Sequence, residues 1–262
     1  MELGLRNRVA IVAAGSKGLG RAVAEELAAE GTSVVICSRG REVLEATVRR
    51  IREAGGRAHG VVADVSVTAD VHRVVEEAVG TYGPVDILVT NSGGPKPGPF
   101  ELLTPADWDA ATRVLLTNVV EFTRAVLPDM RRRRWGRILN ITSIAAKQPV
   151  GGLMLSNSLR AAVTAFGRTL ANEVAAEGVT VNNLMPGYTR TERVVELSEH
   201  LAAAEKTTTE AIIGRWEREI PVGRIGEPRE FAALAVFLAS ARAGYITGQS
   251  IAVDGGWIKS LY

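Results

Sequence analysis

The sequence predicts an α/β fold: one domain spanning residues 1–262, built as a doubly wound parallel sheet. Three observations carry that prediction. Short β-branched runs alternate along the chain with longer segments of helical period. The apolar runs are continuous rather than alternating, as in strands covered on both faces, and right-handed crossovers then give the doubly wound order. A three-glycine turn follows the first run, where a strand would hand over to a helix.

Strands are predicted at 9–14 (VAIVAA), 33–38 (SVVICS), 59–64 (HGVVAD), 86–91 (DILVTN), 137–142 (RILNIT) and 179–184 (VTVNNL), and QSIAVDGG at 249–256 closes the sheet. Helices are predicted near 19–30, 41–54, 68–80, 105–133 and 156–177, the first with an apolar i, i+4 pair at Val23 and Leu27. Ligands of such a sheet sit at the carboxyl ends of its strands. Residues 188–228 break the rhythm: polar, helix-prone and long, they read as an excursion over the site.

With 262 residues, 46% hydrophobic and 23% charged, the chain can bury a sizeable core. Its formal charge of +2 is too small to imply a polyanionic partner. The one basic run, Arg131 to Arg134, falls at a predicted helix end, where cations favour the negative pole. No nucleic-acid, membrane or metal partner is expected. The single cysteine, Cys37, lies in an apolar strand, which excludes an intrachain disulfide and points to a reducing compartment. There is no apolar segment of 18 residues and no signal-peptide layout, so a cytoplasmic location is expected.

The turn AGSKGLG places Gly15, Gly18 and Gly20 between strand and helix. Glycines there permit a tight turn and a close backbone approach, so that N–H groups at the helix start can hold a pyrophosphate. Here the chain resembles the short-chain dehydrogenase/reductase family, a Rossmann-like fold whose glycine pattern is G-x-x-x-G-x-G. This chain reads G-x-x-G-x-G from Gly15, with Ala14 set beside the family's usual Thr. The resemblance covers essentially the whole chain. It continues with Asp64-Val65, NSGG at 91–94, Asn118 in LLTNVV, Ser143 in ITSIAA, PGYTRT at 186–191 and TGQSIAVDGG near the end. In overall sequence the chain is similar to the 3-oxoacyl-carrier-protein reductase branch.

The resemblance implies hydride transfer between a nicotinamide cofactor and a carbonyl/alcohol pair, in a homodimer or homotetramer. Its cofactor contacts would come from Gly15, Ser16, Lys17, Gly18, Leu19 and Gly20. Asp64 and Val65 would meet adenine, Asn91 and Gly93 would follow the fourth strand, and Pro186, Gly187, Thr189 and Thr191 would flank the nicotinamide. At the end of the second strand an acidic residue would bind ribose hydroxyls, whereas an Arg meets a 2′-phosphate. The sequence has Cys37-Ser38-Arg39 there, with Lys17 adding a second cation, so NADP(H) is the expected cofactor.

In the resembled family a Tyr lies thirteen residues after the catalytic serine, and a Lys four further on. Counting from Ser143 lands on Ser156 and Arg160. Arg160 could still bind ribose hydroxyls, but a guanidinium does not titrate near neutral pH. A serine hydroxyl is a poor general acid unless another group supplies the proton. Lys147 and Tyr188 are the alternative proton donors, with a phenolate favoured at Tyr188 if Arg160 or Lys147 is close. A loop lysine is also commonly solvated, and a tyrosine there can simply pack. His59, His72 and His200 read as structural or surface residues.

Lysine is scarce, five against twenty-six arginines, yet Lys17, Lys96 and Lys147 all fall in loops at the carboxyl edge, joined by Arg190 and Arg193. That pattern points to a substrate bearing a carboxylate or phosphate. A different class also fits: a nucleotide-binding sensor or interaction subunit that kept the cofactor site and lost turnover. The catalytic set expected of an enzyme is Asn118, Ser143, Ser156, Arg160, Lys147 and Tyr188.

Overall fold

The computed structural model describes residues 2–261, with the side chain of His200 outside the described residues. Seven strands pair in parallel: β1 (Val9–Ala13), β2 (Ser33–Ser38), β3 (Arg57–Val62), β4 (Ile87–Thr90), β5 (Gly136–Ile141), β6 (Val179–Pro186) and β7 (Ser250–Val253). Their order is β3-β2-β1-β4-β5-β6-β7. The chain changes direction across the sheet between β1 and β4, and the carboxyl edge there is the crevice in which such sheets bind ligands.

The continuous apolar runs are explained by the packing. Successive strand residues point to opposite faces, and both faces are covered. Val12, Ile36, Leu139 and Leu184 pack with Leu27 and Phe231 on one side, while Ile11, Val35, Leu88 and Ile138 pack with Phe122 and Val126 on the other. Each such fully buried large side chain contributes about 1.5–3 kcal/mol. The expected pair Val23 and Leu27 is fully buried in α1 (Gly18–Ala29). Helices α2 (Arg41–Glu53) and α3 (Thr68–Tyr82) complete the first half of the sheet.

The segment expected as one helix over 105–133 is divided. In α4 (Pro105–Thr112) Thr104 and Asp107 form a capping box with Pro105 at the first helical position. A π turn at Arg113–Thr117 follows, and α5 (Asn118–Arg133) begins after it. Within this wide turn the Val114 carbonyl accepts a hydrogen bond from Asn118 Nδ2 at 2.6 Å. The basic run ends α5, where Arg131 pairs with Glu177, Arg132 with Asp129 and Arg133 with the buried Asp86.

Helix α6 (Met154–Val174) starts two residues before its expected position. The polar stretch 188–228 forms α7 (Glu192–Glu205) and α8 (Thr209–Glu219), separated where Lys206 turns left-handed and Thr208 caps α8 through Ala211 N. These helices bury their own small cluster of Ala202, Ile212, Trp216, Ile220 and Ile225. Helix α9 (Pro228–Ala239) returns to the sheet. Among the described residues no helix is long and apolar enough to cross a membrane.

A row of polar side chains crosses the sheet beneath its carboxyl edge. Thr90 Oγ1 donates to Asn140 Oδ1 (2.8 Å), Asn140 Nδ2 to Asn183 Oδ1 (3.1 Å), and Asn183 Nδ2 to Ser250 Oγ (3.2 Å). Each pair is also a register partner in β4–β5, β5–β6 and β6–β7. A one-residue slip would leave these buried amides unpaired, at about 1–3 kcal/mol for each group. The row therefore fixes the level at which the strand ends present their loops.

Candidate active site

The turn after β1 is shaped by backbone. Gly15 N donates to Cys37 O at 3.2 Å, tying the turn to β2. Ala14 lies in the left-handed region at φ 46 and Gly18 at φ 52. Three residues separate Ala14 from Gly18, so the first position of G-x-x-x-G-x-G falls on Ala14, not on Gly15. Setting Ala14 beside the family's Thr was off by one residue, and an alanine holds the left-handed position at a cost of about 1–2 kcal/mol. At Gly20 a Cβ would lie 2.6 Å from Ala14 O and 2.9 Å from Asn91 Nδ2. Any side chain would therefore push α1 away from the turn.

The cradle at the start of α1 holds an anion from the protein itself. Gly18 N donates to Glu192 Oε2 at 3.1 Å, and Glu192 Oε1 pairs with Arg21 Nη1 at 3.1 Å. An unpaired helix N-terminal N–H is a natural carboxylate or phosphate site.

At the end of β2 the Ser38 hydroxyl is buried without a hydrogen-bond partner among the described residues, and Arg39 beside it is exposed. Lys17 is also exposed. Among the described residues neither cation has a carboxylate partner. The Cys37 thiol is fully buried and pushed up to about 11 by that burial, as an inert structural thiol should be. Asp64 Oδ1 accepts from Ser66 N (2.9 Å) and Ser66 Oγ (2.7 Å), a turn that presents Val65 at the strand's end. Ser16 O accepts from Thr47 Oγ1 at 3.0 Å, and Leu19 packs into the core below. Asn91 Nδ2 donates to Ala14 O at 3.3 Å, joining the β1 and β4 loops, and the space a side chain would fill at Gly93 is open.

On the other side of the crevice, Ser143 caps a short 3-10 turn, its Oγ accepting from Ala145 N at 3.1 Å. Ser156 is buried and Arg160 lies one turn further along the same face of α6. Arg160 Nη1 donates to Ile141 O (3.1 Å) and Thr142 O (2.8 Å) at the end of β5. Burial, and then the nearby Arg193 cation, push its guanidinium down to about 10. Asn157 is a structural residue: its amide both donates to Val150 O (2.9 Å) and accepts from Val150 N (3.3 Å), pinning the preceding loop. Asn91, Leu115, Asn118, Ile141, Thr142 and Arg160 share one small cavity, and Asn118 Oδ1 is buried without a partner among the described residues.

Three of the expected proton-transfer and rim groups are placed otherwise. Tyr188 stacks on Trp216 (centroids 4.8 Å, planes 13° apart) and meets Trp257 edge-on at 6.2 Å. Burial, then the Glu219 charge, raises its pKa, so the expected phenolate is disfavoured and the residue packs. Lys96 Nζ pairs with Asp107 Oδ2 at 3.0 Å, and Arg190 Nε with Glu227 Oε1 at 3.0 Å. Both cations are consumed by neighbours. Lys147 is exposed, and Arg193 lies over Gly94. Beyond Pro186, Gly187 N donates to Val253 O at 3.0 Å, and Thr189 Oγ1 to Gly187 O at 3.3 Å. Thr191 N closes a tight turn onto Thr189 O at 2.7 Å. His59 pairs with Glu77 and His72 with Glu121.

Sequence reasoning missed Glu192, the Ser38 hydroxyl and the Thr90–Asn140–Asn183 row. A glutamate opening a helix reads as that helix's own N-terminal acid, and only folding brings it to α1. The polar residues of β4, β5 and β6 were visible as interruptions in apolar strands.

A crevice at the sheet's switch point, with a glycine-lined anion cradle on one side and Ser143, Ser156 and Arg160 on the other, defines a dinucleotide-type site. The chain matches, over residues 13–258, the family model described as enoyl-(acyl carrier protein) reductase. It belongs to the short-chain dehydrogenase/reductase family of oxidoreductases. It is 38% identical over 248 residues to the short-chain reductase protein NovJ of Streptomyces niveus, covering 95% of this chain and 93% of that one. It is 33% identical over 257 residues to the 3-oxoacyl-[acyl-carrier-protein] reductase FabG of Aquifex aeolicus, covering 98% and 99%. Among solved structures, the L-sorbose reductase of Gluconobacter frateurii complexed with NADPH and L-sorbose superposes with a TM-score of 0.95 over 100% of both chains, at 32% identity.

Proposed function

We propose that this protein is an NADPH-dependent carbonyl reductase with an atypical catalytic pair. The observation that carries the reading is the cradle of α1, where the Gly18 amide already binds an anionic oxygen at 3.1 Å. Two buried polar atoms without a hydrogen-bond partner among the described residues, Ser38 Oγ at the end of β2 and Asn118 Oδ1 at the small cavity, leave hydrogen-bonding capacity unused. The residues thus fit the cofactor of the sorbose reductase complex. Gly18, Leu19 and the backbone around Gly15 and Ser16 would hold the diphosphate, while Arg39 and Lys17 would meet the 2′-phosphate and Ser38 a ribose hydroxyl. Asp64, Val65, Asn91 and Gly93 would line the adenosine path. Arg160, Pro186, Gly187, Thr189 and Thr191 would line the nicotinamide end.

When bound, NADPH supplies the hydride. Ser143 orients the substrate's carbonyl oxygen, and the Ser156 hydroxyl donates to it. The Arg160 cation, desolvated and fixed by two backbone carbonyls, favours the negative charge that grows on that oxygen. The proton reaches the oxygen from water through Ser156, because Arg160 keeps its own below a pH of about 10. Carbonyl, hydride and proton together make the alcohol. The segment 188–228 covers the substrate in this reading. A homodimer or homotetramer belongs to the same proposal on family grounds. The case for an anionic substrate now rests on Arg193 and Lys147 alone, since Lys96 and Arg190 are ion-paired.

The test is turnover. Purified protein incubated with NADPH and a panel of ketones, aldehydes and 3-oxoacyl thioesters should consume the cofactor's 340 nm absorbance, roughly in the ordinary range of 1–10³ per second for a good substrate. Tight NADPH binding with no turnover on any member would overturn the catalytic part and leave a nucleotide-binding protein.

A further inference from the structure

We infer that Glu192 is an internal occupant of the diphosphate cradle, a carboxylate that the cofactor's diphosphate must displace, so that cofactor binding unties the start of α7 from the start of α1. The inference rests on the dinucleotide reading of the site given above.

Both carboxylate oxygens are committed to α1. Oε2 accepts from Gly18 N and Oε1 pairs with Arg21. A glutamate at the first position of a helix ordinarily serves that helix's own positive end. Among the described residues Glu192 makes no hydrogen bond to an α7 amide, because its side chain has crossed to the neighbouring helix. The residues on either side of it make the same crossing. Thr191 lies against Gly18, its Cγ2 at 3.2 Å from where a Cβ would be. Arg193 covers Gly94 so closely that a Cβ there would overlap the guanidinium. Three successive residues therefore bridge the crevice from the β1 turn to the β4 loop, across the path a diphosphate would take.

The exchange follows from charge and geometry. One N–H cannot serve two acceptors fully, and a diphosphate brings more charge and more oxygens to the cradle than a carboxylate does. Arg21, held beside the cradle by Glu192, would change partner as the carboxylate leaves. The cofactor's apparent affinity is reduced by the fraction of molecules in which the cradle is filled. Removing the carboxylate should therefore tighten binding, by about fivefold for an interaction of helix-terminus strength.

The experiment compares the full-length wild type with Glu192→Ala and Glu192→Gln by amide hydrogen exchange and by NADPH titration. In the cofactor-free wild type the Gly18 amide and the Val194 and Val195 amides of α7, which donate to Thr191 O, should be protected, and inorganic pyrophosphate should speed exchange in α7. In Glu192→Ala both regions should exchange fast from the start, pyrophosphate should add nothing in α7, and the NADPH dissociation constant should fall about fivefold. Glu192→Gln, which keeps an acceptor and loses the charge, should lie between. Equal exchange in wild type and Glu192→Ala, or an unchanged or weaker NADPH affinity, would overturn the inference even if NADPH is turned over. Release of α7 by pyrophosphate with no binding of NADPH would support the exchange and overturn the cofactor reading instead.

Discussion

The two walls of the crevice are built from different materials. On the β1–β4 side the groups proposed for the site are largely backbone: the Gly18 amide, the left-handed turn at Ala14, and loops tied by Asn91 to Ala14 O. On the β5–β6 side they are side chains, Ser143, Ser156 and Arg160, and the choice of partner decides what each does. Arg160 bonds two carbonyls of its own sheet, Tyr188 stacks on Trp216, and Arg190 is paired with Glu227. A backbone site tolerates little substitution in type, because its chemistry is the same peptide group everywhere. A side-chain site can change its reactive groups while the scaffold stays in place.

That contrast is broken most directly by exchanging the side-chain wall. Ser156→Tyr combined with Arg160→Lys would place a phenol and an ammonium on the face of α6 that now carries a hydroxyl and a guanidinium. If the scaffold is otherwise that of a reductase, kcat should rise by about 10²–10⁴-fold, the usual worth of a positioned general acid. Steady-state NADPH oxidation, with circular dichroism to show an intact fold, reads the result. A fall in kcat would show instead that Ser156 and Arg160 work as a matched pair, and that the neighbouring residues have adapted to them.

The backbone wall is sharpened by changing the one part of it that depends on side chains. Arg39→Asp removes an exposed cation and supplies an acceptor beside the buried, unpartnered Ser38 hydroxyl. The ratio of NADPH to NADH affinity should move toward NADH by about tenfold to a hundredfold, the range for losing a hydrogen bond to a charged group. Fluorescence titration with both cofactors measures it. If the ratio is unmoved, Lys17 alone reads the phosphate.

The same division explains what could be read before the structure. The sheet, its two covered faces and the buried Val23–Leu27 pair followed from apolar runs and period, because those patterns are direct consequences of which faces meet the core. The glycine turn was legible although its register was off by one residue; counting back from Gly18 and Gly20 places the first position on Ala14, the residue that carries φ 46. The division of 105–133 was hidden because nothing in the apolar pattern marks the π turn at Arg113–Thr117. Glu192 was hidden for a different reason. Its partners, Gly18 and Arg21, are more than 170 residues away in sequence for the first contact, and only the fold joins them. The pairing of Lys96 with Asp107 could have been anticipated, as Thr104-Pro105-Ala106-Asp107 is a capping box in plain view.

That last pair gives the smallest expected effect and the cleanest test of the rim. Asp107 accepts from Thr104 N (2.9 Å), Thr104 Oγ1 (2.8 Å) and Lys96 Nζ (3.0 Å). These contacts, the Thr104 amide foremost and Lys96 next, pull its carboxyl from an ordinary 3.8 down to about 2. A carboxyl with a depressed folded pKa stabilises the fold above its unfolded value and loses that contribution as pH falls through the folded one. The melting temperature should therefore decline between pH about 4 and about 2, and Asp107→Asn should flatten part of that decline. Lys96→Met should leave most of it, because the larger cause is the backbone amide. It should also leave KM unchanged for neutral and anionic carbonyl substrates alike, since the ammonium is already spent on the α4 cap. A several-fold rise in KM confined to the anionic substrate would mean that the ion pair opens on binding, and that Lys96 serves the substrate after all.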